Sequence, residues 1–372
     1  MDELTCDDCV SCRVFPNAVA KISGSNKKVV GQEILEITDV SSMNFKRPVD
    51  RGYVVNWELQ KEVWSHGLKV LLKDMKSTGD VGGIVVSEPY MNLPSMHESL
   101  RNLLMEEMKF TSVLVMYPAT MAMFYLGLST PPAEQSLAMQ AGAGIVIDIG
   151  FSYSHIVPIF DWRPIKGAIK RIDLGGKALT NYMKELVSYR SMNMMKETNL
   201  MEHIREELGF VSGDLDKDLK ASKGKHSPFR IEWFLPDGVT SKWGHIRDPS
   251  QPRDPKDPIL VVNNERFMVP ELLFNPSDIG LEEAGLAEAC VQAVSETHSN
   301  IHGLLYSNIS VIGGMAKCPG MRDRLFSELR PLVPDDYGVQ ITIPDDPDMV
   351  AWKGASMIGS SPKMFQSLLN DI

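Results

Sequence analysis

The run Gly144-Ile-Val-Ile-Asp148-Ile-Gly150-Phe-Ser-Tyr-Ser-His155-Ile-Val-Pro-Ile159 constrains this chain more than any other stretch. Two apolar segments flank a short turn, which reads as strand, tight turn, strand. Such a turn can aim backbone N–H groups at a phosphate, and a carboxylate at the strand end helps to hold Mg²⁺ through water. Taken alone the signal is weak, because most Asp-x-Gly hairpins bind nothing. A second glycine site, Ile312-Gly313-Gly314-Met315, follows a strand and precedes Pro319-Gly320 and a helix. Paired glycines there let backbone approach a flat ligand such as adenine, although an ordinary strand-to-helix turn explains the pair equally simply. Arg205 and Glu206 fall on a helix and offer hydrogen bonds to a base or ribose; the plainer reading is a solvated helix face. Asp173-Leu-Gly-Gly-Lys177 is a further turn, leading into a helix over 178–187.

At 372 residues the chain exceeds what one hydrophobic core usually serves, so two lobes are expected. A net charge of −10 argues against a broad DNA-gripping surface and favours a protein partner. Residues 111–133 carry no charge, which raises the possibility of a membrane span. The prolines at 118, 131 and 132 argue instead for a buried strand at 112–116 and a core helix at 119–128. No secretory signal pattern opens the chain, and a reducing compartment follows from that reading. Cys6, Cys9 and Cys12 have a C-x2-C-x2-C spacing compatible with a metal site, but a fourth ligand does not follow. Free thiols are the simpler reading, and no metal site is assigned. His298 and His302, four apart, lack an accompanying carboxylate motif. Walker A, G-x-G-x-x-G, G-x-S-x-G and H-E-x-x-H motifs are absent, so no catalytic residue is assigned.

Along the chain, two α/β stretches flank a less regular middle. Residues 17–51 are polar and read as irregular. A helix capped by Asn56 runs over 56–73, a strand over 81–86 and a helix over 97–109. Prolines 236, 249, 252, 255 and 258 mark a surface insertion within 212–262, without regular structure over 247–258. It serves either as a spacer or as a partner-binding loop. Helices over 281–297 and 320–330 enclose a strand at 309–312.

The run Asn264-Glu-Arg-Phe-Met-Val-Pro-Glu-Leu-Leu-Phe-Asn-Pro276 resembles the segment in actin and actin-related proteins that leads from a strand into the third subdomain. Asn56-Trp57, Ser87-Glu88-Pro89, Asp148-x-Gly150 with His155, Arg171–Gly176, Arg205-Glu206, Gly313-Gly314, Pro319-Gly320 and Trp352-x-Gly354 fall in family order with it. The resemblance spans about residues 14–359 and implies an α/β, actin-like fold, shared with heat-shock chaperones and hexokinase. Two lobes and four subdomains would enclose a nucleotide cleft. Residues 1–143 with 335–372 would form the first lobe, 17–51 being its small flexible subdomain. Residues 144–334 would form the second, with 177–266 as its smaller subdomain.

The departures matter as much as the matches. Arg13-Val-Phe-Pro16 resembles the segment just after the family's first phosphate-loop hairpin, so that hairpin is expected to be absent. Its loss would leave sheet neighbours unpaired and the isolated chain less stable. Phe151 and Ser152 replace an aspartate and a glycine of the second loop. Pro118 stands where actins carry the glutamine that orients the attacking water, and Asp348 where they carry a lysine near adenine. Phosphoryl transfer rests on positioning and charge neutralisation, and losing one such group typically costs about a hundredfold in rate. Turnover is therefore not expected. Asp148, Gly150, Arg205, Glu206, Gly313 and Gly314 remain for structural binding of ATP or ADP with Mg.

Val54–Trp57, Ser188-Tyr-Arg190 and Phe274–Gly280 look most like the nuclear subclass found in the Swr-type remodeller, which exchanges a variant histone into nucleosomes. That likeness implies a non-catalytic structural subunit that contributes to transcription regulation. Its implied contacts are the remodeller's ATPase subunit and a zinc-finger HIT-type subunit, with nucleosome or histones reached indirectly and no membrane. The chain would be a monomer within a hetero-oligomeric complex, in the nucleus with some in the cytoplasm. The alternatives are an actin-fold ATPase or sugar kinase, and a cytoskeletal filament protein. The altered composition of 17–51 and the 212–262 insertion speak against filaments.

Overall fold

The computed structural model describes residues 12–24, 27–39, 43–74, 82–224, 226–237, 241–250 and 257–370. Of the three N-terminal cysteines only Cys12 lies among them, exposed and unpaired. Cys6, Cys9, Pro252 and Pro255 fall outside the described residues.

The small subdomain is more regular than its polar composition announces. Strand β1 (Val19–Ile22) lies between β2 (Lys28–Val30) and β3 (Met43–Lys46), antiparallel to both. Ala18, Ala20, Val29, Ile34 and Met43 form its core. Strands of three or four residues bury only one or two side chains each, so the apolar signal was too short to stand out. A two-residue hairpin of β4 (Val49–Asp50) and β5 (Tyr53–Val54) then leads to helix α1 (Trp57–Asp74). Asn56 caps α1, its Oδ1 accepting from the Leu59 N–H at 2.9 Å.

Helix α1 lays Trp57, Trp64 and Leu68 against Ile84 and Val86 of the parallel pair β6 (Gly83–Ser87) and β7 (Ser112–Met116). Among the described residues no third strand joins this pair. The helix expected at 97–109 is instead α2 (Pro94–Asn102) running into a π-helical turn over Leu103–Glu107. Helix α3 (Pro118–Ser129) explains the uncharged stretch. Ala119, Ala122 and Met123 pack on Val146, Val157 and Ile312 of the second lobe, while Met121 packs with Ile358. A helix covered on several sides has no use for charge. No helix among the described residues is long and apolar enough to cross a membrane.

After a short α4 (Leu137–Gln140), the second lobe is built on β8 (Gly144–Ile149), β9 (Ser154–Phe160), β10 (Arg163–Pro164) and β11 (Lys170–Ile172). Helices α5 (Gly176–Arg190), α6 (Thr198–Leu208) and α7 (Leu215–Ser222) follow. The sheet of β12 (Ile231–Phe234), β13 (His245–Ile246) and β14 (Ile259–Val262) comes next, and α8 (Glu265–Glu271) leaves it. The described part of 247–258 has no helix or strand, as expected. Helices α9 (Leu286–Ser295) and α10 (His302–Tyr306) precede β15 (Ile309–Ile312), and α11 (Met321–Leu332) precedes β16 (Ile341–Thr342). The expected helix start at 281 moves to 286, because Gly285 is extended and the Leu286 N–H donates to the Leu273 carbonyl at 3.0 Å.

The central sheet has the order β10-β9-β8-β15-β16, with β11 also on β9. Since β16 pairs in parallel with β15, residues 341–342 belong to the second lobe's sheet. The expected return to the first lobe at 335 is therefore too early. It comes with α12 (Val350–Ser360) and α13 (Pro362–Asn370), which pack on α3, β6 and β7.

The Asn264–Pro276 run turns out to organise a buried ion pair. Glu271 is fully buried and receives Arg324 as a two-pronged pair, Nη1 to Oε2 at 2.9 Å and Nη2 to Oε1 at 2.7 Å. Asn275 donates to Glu271 Oε1 at 2.6 Å, and the Phe274 ring lies 4.9 Å under the guanidinium. Arg324 also donates to the Ser212 carbonyl at 2.7 Å and to Glu328 at 2.5 Å. The run thus ties α8 to α11 and the 212 loop.

Candidate functional site

Asp148 and Gly313 meet because β8 and β15 run side by side in parallel, with Ile312 in register with Asp148. Both strands end there, and in an open α/β sheet ligands gather beyond such strand ends. Gly313 has φ +92°, and a Cβ on it would stand 2.4 Å from the Ile149 carbonyl oxygen and 2.9 Å from Asp148 Oδ1. Only glycine fits at that junction. Gly314 by contrast has open space where its Cβ would be.

Asp148 receives no hydrogen bond from any described residue, and burial pushes its carboxyl up to about 6. His155 faces it across the hairpin register. This histidine is buried, its Nε2 has no partner among the described residues, and burial with nearby Arg171 holds it down at about 4. It is neutral at pH 7 and a weak base. Within the turn, the Gly150 N–H closes onto the Tyr153 carbonyl at 3.0 Å. The first N–H groups of α5, at Gly176 and Lys177, donate to the carbonyls of Gly150 and Phe151 at 3.0 and 2.8 Å. That helix end is therefore spent on the turn. Among the described residues, the Phe151 and Ser152 N–H groups have no backbone acceptor.

Asp148, Gly150, Phe151, Ser152 and Tyr153 line a cleft of about 520 Å³ between the lobes, closed on the far side by Glu88, Pro89 and Pro118, while His155 and Gly313 stand behind its wall. An unpartnered carboxylate and the loop amides beside it fit one phosphoryl group and a hydrated cation. Pro118, the first residue of α3, brings no side-chain donor or acceptor to the place where a water would be oriented.

The mouth of the cleft is occupied by the chain itself. Arg47 of the small subdomain stacks over Phe151 at 4.5 Å and lies 3.7 Å from Glu202 of α6. Arg171 stacks over Tyr153 at 4.4 Å and over Tyr53 at 5.4 Å, and donates to the Tyr53 hydroxyl and the Arg51 carbonyl. Lys177 reaches Asp50 at 2.7 Å, and Lys242 the Leu35 carbonyl at 2.9 Å. Gly52, at φ +82°, accepts Tyr153 where a Cβ would lie 1.9 Å from the ring. At this loop the rings of Phe151 and Tyr153 fasten the small subdomain to the second lobe.

This clamp was not visible as such in the sequence. Phe151 stood out as a replacement, but Arg171 lies 118 residues from Tyr53 and 120 from Arg51, and they are joined only by closure. Phe151→Ala is expected to speed amide exchange over residues 43–54 about three- to thirtyfold, the loss of a cation–π contact of roughly 0.5–2 kcal/mol. Unchanged exchange there would show that the stack does not hold the subdomain.

The remaining predicted residues lie close by. Arg205 is buried, donating to Thr180 Oγ1 at 3.0 Å and Met315 Sδ at 2.6 Å, so the solvated-face reading is wrong for it. The sulfur contact brings α6 beside the turn that begins at Gly314. Glu206 is exposed, pairs with Arg205 at 3.0 Å, and lines a neighbouring cavity with Arg47 and Trp243. Asp348 pairs with Lys317 at 2.8 Å. Groups of histidine, cysteine or carboxylate that could hold a metal directly are absent among the described residues. His302 instead contacts the Thr297 carbonyl.

A two-lobed α/β architecture with its cleft at the ends of β8 and β15 defines an actin-type protein, and the actin family model matches residues 6–369. The chain belongs to the actin family. Within it, the chain is similar to Actin-related protein 6 of Arabidopsis thaliana, 37% identical over 95% of this chain and 89% of that protein. Actin-related protein 6 of Drosophila melanogaster is 37% identical over 94% of this chain and 88% of its own length. The Actin-like protein ARP6 of Cryptococcus neoformans is 34% identical over 94% and 74%.

Proposed function

We propose that this chain is a non-catalytic structural subunit of a chromatin-remodelling complex that exchanges a variant histone into nucleosomes. The single observation that carries this reading is the likeness, over nearly the whole chain, to proteins named Actin-related protein 6. In this reading it works in the nucleus, with some in the cytoplasm. Its contacts are the remodeller's ATPase subunit and a zinc-finger HIT-type subunit, and it meets histones through them. The cleft supports a scaffold rather than a motor. Pro118 orients no water, His155 is a weak base at neutral pH, and Phe151 with Tyr153 bind the small subdomain instead of following phosphate chemistry.

ATP or ADP with Mg, if bound, would supply negative charge and a hydrated cation in the cleft. Asp148 and the Phe151 and Ser152 amides would hold that end, with Gly313, Gly314 and Arg205 beside the base.

Affinity purification of the tagged chain from nuclear extract, followed by mass spectrometry, is expected to recover both remodeller subunits. The purified chain is expected to release no phosphate from ATP above background in a colorimetric assay and to stay in the supernatant on ultracentrifugation with ATP and Mg²⁺. An actin-like turnover rate, or pelleting as filaments, sinks the scaffold reading.

A further inference from the structure

A second pocket, of about 420 Å³, opens where α5 and α7 end, and it shares no lining residue with the cleft. Three cations line it: Arg190, Lys223 and Arg230. Arg190 is held by Glu265 Oε1 at 2.8 Å and by the Asn264 side-chain oxygen. Glu265 is buried, and its other oxygen accepts from the Asn263 N–H at 2.7 Å. Arg230 rests on Glu232 at 3.1 Å, a carboxylate that also serves Arg247. Asn263 donates to the Ser222 carbonyl at 2.9 Å and accepts from Ser227 at 2.6 Å, which fixes the wall.

Neither Glu265 nor Glu232 lines the pocket, and Lys223 has no ion-pair partner among the described residues. A cavity with three cations and no carboxylate on its wall, its serine hydroxyls and Asn263 amide already bracing that wall, suits an anion. Its positive sign stands out on a chain of net charge −10.

We propose that this pocket binds a carboxylate-rich segment of a protein partner. The arginine forks match carboxylate geometry, and their rear ion pairs hold them in place before binding. An extended nucleic acid is disfavoured, because three cations in one small pocket neutralise few phosphates while the rest of the acidic surface repels them. The pocket sits outside the cleft, so the assignment stands apart from the functional reading above.

The test is fluorescence anisotropy of the full chain with a fluorescein-labelled decapeptide rich in Glu and Asp, in low salt. Saturable binding is expected, weakened about thirtyfold or more in Lys223→Glu/Arg230→Glu and retained in Lys223→Arg. Thermal melting controls for folding, and Lys223→Gln replaces the double variant if that one is unfolded, with a smaller loss expected. Absence of saturable binding, or equal binding by the charge-altered variants, overturns the proposal. Stronger binding of a single-stranded oligonucleotide through the same residues overturns it in favour of nucleic acid.

Discussion

Arg324→Met is expected to destabilise the second lobe by about 3–5 kcal/mol, because it strands the Glu271 carboxylate at a fully buried site. The reverse change, Glu271→Leu, strands Arg324 less completely, since the guanidinium keeps Ser212 and Glu328. Putting both changes together removes both charges and fills the space with apolar side chains. The double variant is therefore expected to be more stable than Arg324→Met alone, by roughly 2 kcal/mol or more. Urea unfolding of the four proteins of this cycle measures the coupling. Additive losses would mean that the pair does not act as a unit, and that the Asn264–Pro276 run owes its form to something else.

Acid titration should expose a second effect, hidden in the parent by cancellation. Asp148 has its carboxyl raised to about 6 in the folded chain, so the cost of burying it ionised is fully present above pH 6. That cost is relieved as pH falls toward 4, and stability gains. His155 is held at about 4, so between pH 6.5 and 4 the unfolded chain takes up a proton that the folded chain refuses. Stability is lost over the same window. Two shifts of this size, of opposite sign, each correspond to roughly 2–3 kcal/mol. Asp148→Asn is expected to be more stable than the parent by about that much at pH 7.5, with the advantage gone near pH 4. His155→Gln is expected to lose the acid-side destabilisation and to gain on the parent as pH falls. Denaturation midpoints at three pH values decide the matter: variants that track the parent at every pH would refute both assignments. A further consequence follows for the cleft. An ionised Asp148 without a donor is a standing cost that a cation would remove, so Mg²⁺ is expected to stabilise the parent more than Asp148→Asn.

Residues close together in the sequence revealed what lies within one element or one turn. The strands at 112–116 and 309–312, the Asn56 cap and the 144–159 hairpin came from local pattern, because periodicity and capping are short-range. The family resemblance rests on such short runs kept in order, and it extends over the matched span of 6–369. Local pattern failed where the apolar signal was brief, as in the three-stranded sheet near the N-terminus. It failed again where a strand was assigned to the lobe next to it in sequence rather than in space, as with β16. The placing of Asp148 and Gly313 at neighbouring strand ends was legible because each lies at the close of a short apolar run.

What the chain determined by itself was therefore the longer elements, the family architecture and the presence of Phe151 in the turn after Asp148. Only the tertiary structure decided what that residue does. Arg47 reaches Phe151 from the small subdomain, Arg171 of the second lobe sits between Tyr153 and Tyr53, and Arg324 reaches Glu271 across 53 residues. The physical reason is that cation–π contacts and buried ion pairs depend on distances between groups remote in sequence. No local pattern of charge or hydrophobicity encodes those distances before the lobes have closed.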